Sequence, residues 1–273
     1  MAVTRLSPVN HPLPSAGAIH GRLAADTMFG RIVVDRSTGS TNADVAAIAR
    51  GGGREGLVHI AMEQTAGRGR LDRSWVSPPG ASISMSLLLR PRPEFPQWGW
   101  LSILAGMAVS SALMEFAPAP GLVTLKWPND VLIDGKKVCG ILSERIEQPD
   151  GARAVVGMGI NVALTREQLP VRNATSLALE GFPLDVEAII AAVLRHFEQH
   201  YRSWSLRGSL REEYEARCAS IGAPLTITLD GSHRVSGTGR GVDAYGRLQV
   251  ETATGLQTFA VGDVVHARLG HHA

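Results

Sequence analysis

The chain has 273 residues, a formal net charge of +2 from 27 Lys+Arg and 25 Asp+Glu, and 44% hydrophobic residues. That length and apolar content suit one large domain, or one large plus one small, and exclude wholesale disorder. A charge so near zero leaves no electrostatic footprint for general nucleic-acid binding, so no DNA partner is expected. Cys139 and Cys218, far apart in sequence, cannot form a disulfide framework of the secreted kind. The apolar stretch 101–116 is broken by Ser102, Ser110, Ser111 and Glu115, too short and interrupted to span a bilayer, so no membrane partner is expected. The N-terminus lacks the basic-then-apolar pattern of a signal peptide, and without an export signal the sequon Asn173-Ala174-Thr175 carries no meaning. The expected location is the cytoplasm.

In chain order, residues 1–29 mix Pro, Gly and Ala without a sustained period and read as a flexible N-terminal arm with room for one short helix. Arg31–Asp35 reads as a strand. Residues 37–42 then offer several N-cap side chains to an Ala-rich helix running to Arg50, which Gly51, Gly52 and Gly53 stop. Residues 57–63 read as a second strand, and Ser82–Leu89 alternates at period two like a half-buried one. Residues 97–116 have helical spacing, ended by Pro118 and Pro120. Strand-like runs follow at 123–127, 131–133, 138–146 and 152–162, with turns at Asp134-Gly135 and Pro149-Asp150-Gly151. Asp185 caps an amphipathic helix to Trp204, and 210–218 forms another. After Gly222, short β-rich runs punctuated by Gly and Asp suggest a small barrel. This order of elements predicts an α+β fold rather than a doubly wound parallel sheet. It divides into the arm at 1–29, a main domain at 30–221 and a small domain at 222–273.

Three local clusters could carry chemistry. The first is Gly67-Arg68-Gly69-Arg70-Leu71-Asp72-Arg73-Ser74-Trp75. Its glycines let backbone amides approach a ligand, and its arginines can grip carboxylate or phosphate in bidentate fashion. It lacks the pattern of a P-loop, and the bland reading is a solvated basic turn. The second is Lys126-Trp127-Pro128-Asn129-Asp130, a rigid corner at a strand exit that presents polar side chains. Lys137 follows at the base of the next hairpin, where a lysine is ordinarily just solvated. The third is Gly157-Met158-Gly159-Ile160-Asn161. The third glycine of a dinucleotide fingerprint is missing and no strand–helix unit surrounds it, so its small residues are better read as letting a ligand lie flat on a strand, with Asn161 reading it. His196 and His200 share a helix face as metal ligands can, but no third ligand presents itself. The two cysteines have no partner motif and read as core packing.

Five segments in order, Ser40-Thr41-Asn42, Glu63 to Arg70, Lys126 to Asp130, Lys136 to Leu142 and Gly157 to Asn161, resemble the biotin protein ligase family. The resemblance runs from about residue 30 to the C-terminus. It implies a mixed, mostly antiparallel sheet flanked by helices, related to class II aminoacyl-tRNA synthetases and lipoate ligases, followed by an SH3-like β-barrel. It also implies two half-reactions: biotin and ATP, with Mg²⁺, give biotinyl-5′-AMP and pyrophosphate, and a lysine of a biotin carboxyl carrier domain of an acyl-CoA carboxylase then takes the biotin. Only about 30 residues precede the first core strand, so the chain resembles the monofunctional type without a DNA-binding domain, a monomer or weak homodimer. By this resemblance Ser40, Thr41, Asn42 and Gln64 hydrogen-bond the ureido ring, and Arg68, Gly69 and Arg70 lie on a loop that closes over the intermediate. Arg70 stands near the carboxylate and α-phosphate, Arg73 faces the leaving phosphates, and Trp75 stacks on or supports the adenine. Lys137 bridges the biotinyl carbonyl and the α-phosphate, while Lys126, Asn129 and Asn161 line the nucleotide site. Asp130 binds Mg²⁺ or orients the incoming amine. A lipoate or octanoate ligase on the same core would carry Arg-Arg-x-x-Gly-Gly-Gly-x-Val, which the loop here does not match. A non-catalytic biotin- or nucleotide-binding regulator would not need the complete charged set Arg70, Asp130 and Lys137.

Overall fold

The computed structural model describes residues 13–70, 73–75, 77–229, 233–260 and 262–266; residues 1–12 of the expected arm, and Leu71 and Asp72 of the expected loop, lie outside them. Among the described residues, twelve strands form two sheets, accompanied by five α-helices. The first sheet contains β1 (Arg31–Asp35), β2 (Leu57–Ala61), β3 (Ser82–Leu89), β4 (Val123–Lys126), β5 (Asp130–Ile133), β6 (Lys136–Ile146) and β7 (Arg153–Asn161). Its order is β1-β2-β3-β7-β6-β5-β4, with β1 and β2 parallel and every other neighbour pair antiparallel. This is the mixed, mostly antiparallel sheet that the resemblance implies, in the α+β fold that the element order predicts.

Local chemistry explains the punctuation. Helix α2 (Thr41–Arg50) begins where the Ser40 hydroxyl accepts a hydrogen bond from the Ala43 amide. The β5–β6 hairpin turns through Asp134 at φ 48° and Gly135 at φ 71°, the left-handed pair that a two-residue turn requires. Helix α3 (Trp100–Phe116) starts three residues later than the spacing suggests, because Pro96 belongs to a 3₁₀ turn over Phe95–Gly99. Helix α4 (Val186–Arg207) is capped by Asp185, as expected, and runs past Trp204 until Gly208 adopts a left-handed conformation. Helix α5 (Arg211–Glu215) is shorter than the 210–218 expected.

The segment 95–116 is long and apolar enough to cross a membrane by length and composition, yet most of it is buried. Helix α3 instead packs against α4 and the sheet, and Leu101, Leu104, Ala105, Met107 and Ala108 belong to the main core with Met85, Leu87, Val156 and Ile160.

Two expectations change. All eight residues of β3 are buried rather than half-buried, because α2 covers the face opposite α3. Residues 13–29 are not a free arm. Helix α1 (Ala16–His20) inserts a fully buried Ile19, Phe29 is fully buried, and Glu198 on α4 accepts from the Thr27 hydroxyl (2.7 Å) and the Met28 amide (2.8 Å). Burial of two large apolar side chains, worth roughly 1.5–3 kcal/mol each, outweighs the loop-like composition.

The second sheet holds β8 (Pro224–Leu229), β9 (His233–Val242), β10 (Leu248–Thr252), β11 (Gly255–Phe259) and β12 (Asp263–His266) in the order β11-β10-β9-β8-β12, all antiparallel. This antiparallel sheet is consistent with the expected SH3-like barrel but is not closed: among the described residues its edges β11 and β12 do not pair. Buried tryptophans join it to α3 and to the β4–β5 corner: Trp100 Nε1 donates to Ala244 O (2.8 Å) and Trp127 Nε1 to Gly246 O (3.0 Å).

Candidate active site

One cavity of about 460 Å³ collects all three sequence clusters. Its size falls within the range of small-molecule sites. The floor is made by β6 and β7. Gly140 and Gly159 are register partners, and the Trp75 ring lies across both. A Cβ would stand 2.8 Å from that ring at Gly140 and 2.5 Å at Gly159, so only glycine admits the indole here. The Trp75 indole N–H is buried and has no hydrogen-bond partner among the described residues, and Lys137 Nζ lies 5.9 Å from a ring centroid of the same side chain. The glycines expected to let a ligand lie flat on the strand thus seat the Trp75 indole, which becomes part of the cavity wall.

The charged end of the cavity is built by the rigid corner and the hairpin. Trp127 is fixed by Ser220, whose hydroxyl accepts from its amide, while Asn129 donates to Ile141 O (2.7 Å) and accepts from Arg70 (3.1 Å). Asp130 sits between two ammonium groups, Lys137 Nζ at 2.5 Å from Oδ1 and Lys126 Nζ at 3.0 Å from Oδ2. Burial raises the Asp130 carboxyl pKa, but the Lys137 and Lys126 charges outweigh it and hold the group below its ordinary value of 3.8. Lys137 is not a merely solvated hairpin lysine. Its amide donates to Asn173 O and its carbonyl accepts from Thr175 N, each at 2.8 Å, which fixes its backbone on both sides. Asn161, buried, also lines the cavity and donates to Thr175 O.

The polar end is a hydrogen-bonded knot at the start of α2. Gln64 Oε1 accepts from the Thr41 amide (2.8 Å) and hydroxyl (3.1 Å). Ser86 Oγ lies 2.7 Å from Thr41 Oγ1 and 2.6 Å from Asn42 Oδ1. Asn42 Nδ2 donates to Leu142 O (3.2 Å) and Glu144 (2.7 Å), so both its N–H bonds are committed inside the protein. Ser40 is occupied with capping the helix. In the basic loop, Arg68 donates to Glu144 (3.2 Å), Gly69 N to Arg73 O (2.6 Å) and Trp75 N to Gly67 O (2.9 Å), which folds the loop into a hairpin.

Every sequence-predicted site residue therefore lines this cavity. Sequence reasoning missed Ser86 and Glu144, which organise Asn42, and Val264 of β12 with Gly262 just before that strand, which complete the wall. The period-two serines Ser82, Ser84 and Ser86 were the available signal for the first. No three His, Cys, Asp or Glu side chains among the described residues stand together as a metal site. Asp130 does not fit a resident Mg²⁺: it is a single carboxylate with both oxygens taken by ammonium groups. His196 contacts Glu115 and stacks on His200, away from the cavity. Cys139 and Cys218 are buried, and burial pushes the Cys139 thiol up to about 12, as inert packing residues require.

A mixed sheet with a glycine floor, a hydrogen-bonding knot at one end and clustered cations at the other defines a protein that takes a flat polar head group and brings its acidic end to a second anion. Comparison with known proteins agrees. A profile of the biotin/lipoate A/B protein ligase family matches residues 36–161, and one of the biotin protein ligase C terminal domain matches residues 220–267. The chain is 37% identical over 250 residues to the biotin–[acetyl-CoA-carboxylase] ligase of Mycobacterium tuberculosis, covering 90% of this chain and 92% of that one. It is 34% identical to the bifunctional ligase/repressor of Bacillus subtilis, covering 92% of this chain and 78% of the relative. The biotin protein ligase of Aquifex aeolicus, solved in complex with biotin and ATP, superposes with a TM-score of 0.74 at 26% identity over 88% of this chain and 100% of that one. The chain belongs to the biotin protein ligase family.

Proposed function

We propose that this chain activates biotin with ATP and transfers it to a lysine of a carrier domain. The observation that carries this reading is the Lys137–Asp130–Lys126 group, with Arg70 tethered to Asn129 beside it, at the cationic end of a cavity whose other end is a hydrogen-bonding knot. A carboxylate oxygen of biotin attacks the α-phosphorus of ATP, and the bond to the departing pyrophosphate breaks. Both reactants are anions, so preorganised cations at the point of attack lower the barrier. Lys137 and Arg70 hold the carboxylate and α-phosphate, and Arg73 faces the leaving phosphates. Lys126, Asn129, Asn161 and Trp75 line the nucleotide side. Mg²⁺ enters as part of the nucleotide substrate, and no step uses a metal held by the protein.

In the second step the acceptor amine attacks the acyl carbon, loses a proton, and AMP leaves. Asp130 faces this end of the cavity and orients the amine. At the polar end Thr41 and Gln64 contact the ureido ring, while Ser40 and Asn42 shape the knot that presents them. Buried directional contacts of this kind discriminate against an acid that lacks the ureido group. The acceptor is a biotin carboxyl carrier domain of an acyl-CoA carboxylase in the cytoplasm, the protein acts as a monomer or weak homodimer, and DNA is not a partner.

The test is biotin-dependent exchange of labelled pyrophosphate into ATP, with lipoate and octanoate in parallel. Exchange with biotin alone is expected. Exchange with lipoate would overturn the specificity assigned to the knot, and no exchange from folded protein would overturn the activity.

A further inference from the structure

Glu144 lies outside the sequence clusters, yet its one carboxylate joins two of them. On β6 it shares a face with Gly140, Leu142 and Ile146, four, two and two residues away along the strand. Its Oε2 accepts from Asn42 Nδ2 at 2.7 Å, and its Oε1 stands 3.2 Å from Arg68 NH2. Asn42 is buried and its carbonyl is held by Ser86, so on that side Glu144 is anchored to the core. Arg68 is at the base of the basic hairpin, where it pairs with Ser74 directly before Trp75 and two residues before Arg70. The hairpin is attached at its start through Ala66 N to Gly39 O (2.8 Å) and further on through Arg70 to Asn129. The Arg68–Glu144 pair is an ion-pair tether between these two that reaches β6, the strand carrying Lys137 and Gly140.

We infer that Glu144 is a positioning residue: by holding Arg68 against the Asn42 knot it sets the basic hairpin in register with β6, and so determines how well the acyl-adenylate is retained until the acceptor arrives. This rests on the proposed ligase activity. An acyl phosphate anhydride is lost to water if the groups around it are misplaced, so the partition between transfer and release reports the position of Arg70 and Trp75. The side chains of Arg68 and Glu144 are 51% and 27% exposed, so the pair is of the screened, modest kind and its loss shifts the partition by about fivefold rather than abolishing activity.

The test compares wild type with Glu144→Gln, Arg68→Gln and the double variant. Glu144→Gln is expected to release adenylate to solution about five times faster relative to transfer, with little change in maximal pyrophosphate exchange and in thermal midpoint. The double variant is expected to leak no more than either single one, as for residues acting through one contact. Release from wild type should rise with ionic strength, and release from Glu144→Gln should not. A leak unchanged in Glu144→Gln, or additive in the double variant, would sink the inference while leaving the ligase intact. Limited trypsin digestion of the ligand-free proteins reads the tether without any catalysis: Glu144→Gln should be cut after Arg68, Arg70 and Arg73 several times faster than wild type. Equal cutting rates overturn the tether whether or not the chain makes an adenylate, and absence of adenylate from wild type overturns the activity alone.

Discussion

Ile83, Met85, Leu87 and Leu89 of β3 join the core under α3 and α4, while the alternate residues Ser84 and Ser86 meet the cavity and the start of α2. Strand β7 repeats the division, with Ala154, Val156, Met158 and Ile160 on the core face and Gly157, Gly159 and Asn161 on the other. The same strands thus supply a face built for volume and a face built for vacancy and hydrogen bonding. On the first, close packing makes each methylene count. On the second, glycines leave room for the Trp75 ring, the Asn42 amide and the cavity beside them, at a local cost in stability. The difference teaches that stability and activity in this protein should separate by residue parity along a strand.

The sharpest way to break that comparison is a deletion on the core face. Leu104→Ala in α3, at a fully buried position, should cost about 2–5 kcal/mol in denaturant unfolding, with exchange activity per folded molecule near wild type. A large loss of specific activity would show that the faces are not separable. On the other face, Lys137→Ala should lower adenylate formation at least ~100-fold, the scale of losing one preorganised donor, with a small change in stability. Near-wild-type exchange would return Lys137 to the status of an ordinary hairpin lysine.

A pH comparison sharpens the same contrast. His200, on α4, is half-buried behind the sheet, and burial together with the neighbouring His196 and Arg217 charges lowers its pKa from 6.5 to about 4. The unfolded chain then takes up the proton first, so stability should be lost as pH falls from about 6.5 toward 4, by about 2 kcal/mol once partial exposure is discounted. His200→Gln should flatten that slope, which urea titrations at several pH values would reveal. Asp130 behaves in the opposite range. Its depressed pKa means that the ionised form stabilises the fold fully above 3.8 and that this contribution disappears as pH falls through and below that value. The thermal-midpoint gap between wild type and Asp130→Asn should therefore stay constant from neutral pH to about 5 and close only in stronger acid. The smallest expected effect is Arg70→Gly: adenylate should still form but escape several times more readily, because one of its holders is gone while Lys137 remains. Unchanged retention would remove Arg70 from that role.

Much of this was legible because it is local. The Ser40 cap, the Asp134-Gly135 turn, the alternation of β3 and the glycines of β7 are properties of short segments whose period or backbone demand is written in neighbouring residues. The α+β order and the residues gathered in the cavity follow from these and from the family resemblance. What the folded chain alone decided depends on partners distant in sequence. Asn42 meets Ser86 at a separation of 44 residues and Glu144 at 102, and no local pattern could announce that its amide is already committed. The full burial of β3 depended on which elements cover its second face, and the docking of residues 13–29 on a helix about 170 residues further along. Asp130 is the clearest case: in sequence it is one acid in a turn, and only the pairing of β4, β5 and β6 brings Lys126 and Lys137 to its two oxygens and fixes its charge. Short-range sterics determine where elements begin and end, whereas desolvation and charge are set by whatever the topology places alongside.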